Sequence, residues 1–149
     1  MESMIIREYK PQDLGNLVDI HDNARKVELQ IAGLEGAFIP LVEAAINEKL
    51  FDYSLCVAVL NNEVTGFSAY TEDELAWLYI HPNHMRKGIG KALVQYILDN
   101  NSKRPFMVEV LNANTPAISL YEAMGFKTVE IVTGAMPGNE SFQVTVHRM

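Results

Sequence analysis

Leu78-Tyr79-Ile80-His81-Pro82-Asn83-His84-Met85-Arg86-Lys87-Gly88-Ile89-Gly90-Lys91-Ala92-Leu93 reads as a strand, a glycine-containing loop and the start of a helix in immediate succession. Residues 75–80 form a strand-like apolar run, whereas Ile89, Leu93 and Ile97 recur at a spacing of four, as one face of a helix over 88–100. Glycines between the two let the backbone turn tightly, so that several N–H groups converge just before the helix N-terminus, a nest suited to a diphosphate. Arg86, Lys87 and Lys91 concentrate positive charge there, although the chain as a whole carries −7. Two other phosphate loops fail on counting. A Walker loop needs Gly at 85 and Ser or Thr at 92, where Met85 and Ala92 stand, and a dinucleotide fingerprint needs Gly at 93, where Leu93 stands.

Upstream, residues 5–9 read as a strand, and Pro11 opens a helical pattern carried by Leu14, Leu17, Val18 and His21. Pro40 is expected to be the first residue of a second short helix with Val42, Ala45 and Ile46 inward, after a mobile connection containing Gly33 and Gly36. Residues 55–60 and 64–70 form a hairpin about Asn61-Asn62, and 75–80 is a third consecutive antiparallel strand. Downstream follow a strand over 106–111, a helix over 115–124 ended by Gly125, and strands over 126–132 and 141–148. Between those last strands lies a loop with Gly134, Pro137 and Gly138. The order is a mixed α/β arrangement without internal repeats.

A chain of 149 residues with 48% hydrophobic content supports one well-filled core, so a single domain over 1–149 is expected. The first ten residues lack the apolar stretch of a signal peptide, and no apolar run is long enough to span a bilayer, which predicts a soluble cytoplasmic protein without membrane attachment. Nineteen acidic against twelve basic residues argue against nucleic acid as a partner and suit a cationic substrate. The single cysteine, Cys56, excludes an internal disulfide and reads as a small buried hydrophobe. His81, His84 and His147 lack metal-ligand spacing, so no metal is expected. Trp77 and Tyr79 are expected in the core.

The loop and its strand resemble the signature of the GNAT superfamily, the Gcn5-related N-acetyltransferases, in which Arg/Gln-x-x-Gly-x-Gly/Ala follows a strand ending like Leu78-Tyr79-Ile80-His81-Pro82. Met85 replaces the usual Arg or Gln. A second motif, Asn114-x-x-Ala117-x-x-x-Tyr121-x-x-x-Gly125-Phe126, resembles the family's closing strand-helix segment. The resemblance covers about residues 54–126 and implies a central, mixed, mostly antiparallel twisted sheet of about six or seven strands flanked by about four helices.

It further implies acetyl transfer from acetyl-CoA, the cosubstrate, to an amine of a small molecule or a protein; a homodimer stays open. Leu78, Tyr79 and Ile80 would meet the pantetheine arm through their backbone, and Met85, Arg86, Lys87, Gly88, Ile89, Gly90 and Lys91 the diphosphate. Asn114 and Tyr121 would complete the cofactor site, with Tyr121 also the acid for the departing thiolate. Core packing is the other reading of Tyr121, and the end of a strand beside a Thr115 helix cap that of Asn114. Glu74 is level with a catalytic glutamate of histone-type members, and alternation groups it with Ala76, Leu78 and Ile80; a solvated turn residue is its other reading. Substrate choice is expected in 23–39 and in the 133–140 loop, with Glu28, Glu35 and Glu72 as charges that could attract an amine. Because Met85 and Ala76 depart from common family residues, a catalytically weak CoA-binding sensor or regulatory module is the alternative.

Overall fold

The computed structural model describes residues 3–149. Strands β1 (Met4–Glu8), β2 (Ser54–Leu60), β3 (Glu63–Tyr70), β4 (Glu74–Ile80), β5 (Met107–Leu111), β6 (Glu130–Met136) and β7 (Asn139–Arg148) make a seven-stranded sheet in the order β1-β2-β3-β4-β5-β7-β6. Every pairing is antiparallel except that of β4 with β5. Four helices complete it: α1 (Leu14–Ile31), α2 (Leu41–Asn47), α3 (Ile89–Asp99) and α4 (Thr115–Ala123). Asn61 and Asn62 both take positive φ, the conformation that matches a two-residue hairpin turn to the twist of its strands.

The sheet is covered on both faces. Leu17 and Ile20 of α1 and Leu41 of α2 pack on Phe67 and Trp77, and Leu93 and Ile97 of α3 pack on Ala58, Leu75 and Val108 from the other side. Fully burying each such side chain contributes roughly 1.5–3 kcal/mol, so the helices are held by their apolar stripes. Cys56 lies wholly inside, and burial pushes its thiol up to about 12, far from a reactive thiolate. No helix among the described residues is long and apolar enough to cross a membrane.

Several sequence expectations are corrected. Pro40 stands just before α2 with an extended ψ of 151°, and the helix buries Leu41, Ala44 and Ala45, leaving Val42 and Ile46 exposed. Its rotation is fixed by Asp22, whose Oδ1 accepts from the Leu41 N–H at 2.9 Å. β6 begins at Glu130, not at 126, and continues through Gly134, which pairs with Val144; the expected 133–140 loop shrinks to a tip at Pro137-Gly138, with Gly138 at φ +77°. Asn114, rather than Thr115, caps α4, its side chain accepting from the Ala117 N–H at 3.3 Å.

The grouping of Glu74 with Ala76, Leu78 and Ile80 also fails. β4 carries a bulge, since Trp77 pairs with Ala69 and Leu75 with Tyr70, which leaves Ala76 unopposed. Beyond it, Leu78 and Ile80 join Leu75 on the α3 side, while Ala76, Trp77 and Tyr79 pack on the α1 side.

Candidate active site

The parallel pairing of β4 with β5 is confined to Glu74 opposite Met107 and Leu75 opposite Val108. Past the bulge β4 turns away, and β5 pairs only with β7, through Glu109, Val110 and Leu111. The strands therefore splay, and the wedge between them opens a groove of about 900 Å³ lined by 74–80 on one wall and 108–111 on the other. The β5-facing backbone edge of β4 is left without a neighbouring strand, a row of donors and acceptors that an extended ligand can pair with.

One end of the groove is the glycine loop. Arg86 at φ +65° and Gly88 at φ +79° bend the chain into α3, and Gly88, as the N-cap, supplies no side-chain partner. The N–H groups of Ile89, Gly90 and Lys91 have no hydrogen-bond partner among the described residues and open onto the groove beside Arg86. With the partial positive charge of the helix terminus they favour an anion. Lys87 extends toward His84, its Nζ 3.4 Å from Nδ1. Met85 is 45% exposed on the groove rim, where it offers no polar contact.

Tyr121 closes the wedge from α4. Its ring packs edge-on against Phe126, centroids 5.6 Å apart, and only 4% of the residue is exposed. Its hydroxyl has no hydrogen-bond partner among the described residues, yet no side-chain oxygen sealed from solvent is unpaired. The hydroxyl is therefore the part that reaches the groove. Burial first, then Glu28 and Tyr79, push its pKa well above the ordinary phenol value, so it stays protonated.

The far end is built by α1, α2 and the β6–β7 hairpin. Arg25 donates from Nη1 to Glu28 and from Nη2 to the Met136 sulfur, and Asn114 Nδ2 donates to the other Glu28 oxygen at 2.8 Å. Asn114 thus lines the groove with its side chain committed to Ala117 and Glu28. Glu74 stands exposed at the rim, held above the usual carboxylate range by partial burial and by Glu109 and Asp73. Trp77 is in the core as expected; Tyr79 is half-buried, against His21 (5.0 Å, edge-on) and facing the groove. Of the expected contacts, Leu78, Tyr79, Ile80, Met85, Arg86, Gly88, Ile89, Gly90, Lys91, Asn114, Tyr121 and Glu74 all line this groove. Lys87, expected at the diphosphate, does not line it, nor do Glu35 and Glu72, and sequence reading passed over Arg25, Glu48 and Tyr53, which do. Only Arg25 left a sequence signal, its i,i+3 spacing to Glu28.

His21, buried beside Trp77 and Tyr79, is pushed below the ordinary histidine range by burial, with Asp22 opposing. The unfolded chain then takes up this proton first as pH falls below about 6.5, so the folded state loses stability on acidification. The thermal midpoint should fall between pH 7.5 and 5.5 more steeply for the wild type than for His21→Phe, which keeps the ring contacts and removes the titration.

A sequence model described as an acetyltransferase (GNAT) domain matches residues 51–128, more than half of the chain. The chain belongs to the GNAT acetyltransferase family. Among curated proteins, this GNAT chain is 32% identical over 115 residues to the UPF0157 protein YqkA of Bacillus subtilis, covering 72% of this chain and 33% of that protein. It is 38% identical over 71 residues to the peptidyl-lysine N-acetyltransferase YiaC of Escherichia coli, 47% of each. The match thus spans a third of one relative and about half of the other. Two solved structures share the fold: a GCN5-related N-acetyltransferase from Rhodopseudomonas palustris (TM-score 0.77, 18% identity, 98% of this chain and 94% of that one). The other is yncA of Salmonella typhimurium, solved with its cofactor acetyl-CoA (TM-score 0.67, 19% identity, 98% and 92%).

Proposed function

We propose that this chain is a cytoplasmic enzyme that transfers acetyl from acetyl-CoA directly to a primary amine, on a protein or peptide side chain or on a small molecule. The observation that carries the reading is the Tyr121 hydroxyl, without a hydrogen-bond partner among the described residues and delivered by a buried ring into a groove that also holds an open strand edge and a cationic N–H nest. The residues present fit acetyl-CoA. The 78–80 backbone would align the pantetheine arm, and 86–91 would hold the diphosphate, Arg86 and Lys91 adding charge and Gly90 close approach. When bound, acetyl-CoA supplies an activated acyl group on a thiolate leaving group.

Tyr121 gives the departing sulfur its proton, which a phenol held protonated can do. The acceptor enters from the end formed by α1, α2 and the hairpin. An alkylammonium with a pKa near 10.4 needs roughly 4–5 kcal/mol to expose its lone pair at pH 7, so a proton acceptor within reach of that end favours the reaction. Glu74, at the rim, could reach an amine there through water. Cys56, the sole thiol, is sealed in the core and cannot carry an acyl group, which favours direct transfer.

The test is thiol release from acetyl-CoA in the presence of a lysine-containing peptide, a peptide with a free N-terminus and unbranched alkylamines, with mass spectrometry of the acceptor. Acceptor-dependent release with a gain of one acetyl group is expected. Tight CoA binding with no amine acetylated would assign the chain to CoA sensing instead.

A further inference from the structure

Four carboxylates line the groove, and the chain itself disposes of two. Glu28 gives one oxygen to Arg25 and the other to Asn114, and Glu109 accepts from Arg148 Nε at 3.0 Å. Glu74 is exposed to solvent. The fourth is Glu48, just past the end of α2. It is half-buried, and its carboxylate makes no hydrogen bond or ion pair among the described residues. The hairpin tip lies close against it: a Cβ added to Gly138 would be 3.1 Å from both Cγ and Oε2. Asn47 beside it donates to the Gly138 carbonyl at 3.5 Å, tying α2 to the same tip.

Its surroundings suit an ammonium group. Tyr53, Trp77 and Tyr79 line the same groove, and aromatic faces attract cations. The charged and titratable groups facing it are Arg25 on α1, Glu140 on β7, and Tyr53 and Tyr79. Arg25 is already engaged by Glu28, so it leaves Glu48 open. Glu48 is felt electrostatically at Tyr79, and Tyr79 in turn at Tyr121. Glu48, Tyr79 and Tyr121 all line the one groove, so the carboxylate and the acid open onto the same space.

We propose that Glu48 is the catalytic base, binding the acceptor's ammonium group and taking its proton; this rests on the acetyl-transfer reading above. The step balances without a further reagent. Glu48 removes one proton from R–NH3⁺, and the freed lone pair forms the N–C bond to the acyl carbon. The C–S bond breaks, and the sulfur receives the Tyr121 proton. The second nitrogen proton returns to Tyr121, and Glu48 releases its proton to water. Burial already holds this carboxyl above the usual range, toward the basicity such a role needs.

The experiment is the pH profile of kcat/KM from pH 6 to 10 for wild type, Glu48→Gln and Glu74→Gln with the best amine found above, alongside calorimetric CoA binding. Glu48→Gln should keep CoA affinity within about threefold and lose roughly 10²- to 10³-fold in kcat/KM at pH 7. Its remaining rate should climb about tenfold per pH unit as free amine accumulates, a slope that a purely structural role would not produce. A profile parallel to wild type, or the climbing profile in Glu74→Gln instead, overturns the assignment while leaving acetyl transfer intact. A wild type that binds CoA and acetylates nothing overturns the functional reading and this one together.

Discussion

Tyr121→Phe is expected to lower turnover by about 10²- to 10³-fold, the usual range for losing a general acid, while the thermal midpoint and the affinity for CoA stay close to wild type. The separation follows from how the side chain is divided. Its ring makes the packing contacts, edge-on to Phe126 and inside the cluster with Val108, Val110 and Leu93, and Phe preserves them. Its hydroxyl has no hydrogen-bond partner among the described residues, so deleting it strands no donor or acceptor there. A buried tyrosine serving only structure would hydrogen-bond its hydroxyl to the protein, and its loss would then lower stability. Steady-state kinetics and a melting curve on the same sample distinguish the cases: a drop in stability with unchanged kcat would remove Tyr121 from the chemistry. Because burial holds the phenol protonated, its ionisation should not appear as an alkaline limb below pH 10.

How much of this was legible in the sequence depends on whether a feature is local. The hairpin at Asn61-Asn62, the loop at Gly88 and the left-handed Gly125 are written in residues that few other conformations would use, and each is found where expected. The order of strands and helices follows from periodicity, and the two family motifs pick out residues that come to line one groove. Three failures share a tertiary cause. The rotation of α2 is set by Asp22 nineteen residues away, so Val42 and Ile46, apolar and helically spaced, point outward all the same. The bulge at Ala76 inverts the alternation of β4, and no glycine or proline marks it. The far end of the groove is assembled from the second half of α1, the end of α2 and the tip of a hairpin some ninety residues further on, so Arg25, Glu48 and Gly138 carry no common signal.

The two glycines of the loop are required for different reasons, and a pair of substitutions at each should show it. Gly88 sits at φ +79° with nothing within 4 Å of a would-be Cβ, so its demand is conformational. Ala there costs about 1–2 kcal/mol, and Asn, which tolerates the left-handed region, should recover most of that stability. Gly90 is helical, and its demand is space: a Cβ would lie 3.0 Å from Leu120 Cδ2 and 3.4 Å from Ile80 Cδ1. Ala needs only a small shift of the Leu120 side chain and should cost less than about 1 kcal/mol. Val adds two methyls at a contact where α3, α4 and β4 meet, one residue from Tyr121 and within the N–H nest proposed for the diphosphate. Overpacking of that kind costs roughly 2–3 kcal/mol, and the displaced walls should weaken CoA binding at least about tenfold and lower kcat/KM by about 10²-fold. Calorimetry with CoA and thermal unfolding of the four variants check the scheme. Equal losses for Gly90→Ala and Gly90→Val would show that helix α3 does not bear on α4 through this contact. A Gly88→Asn protein no better than Gly88→Ala would show that the loop needs the absence of a side chain, for the sake of the ligand, more than it needs the turn.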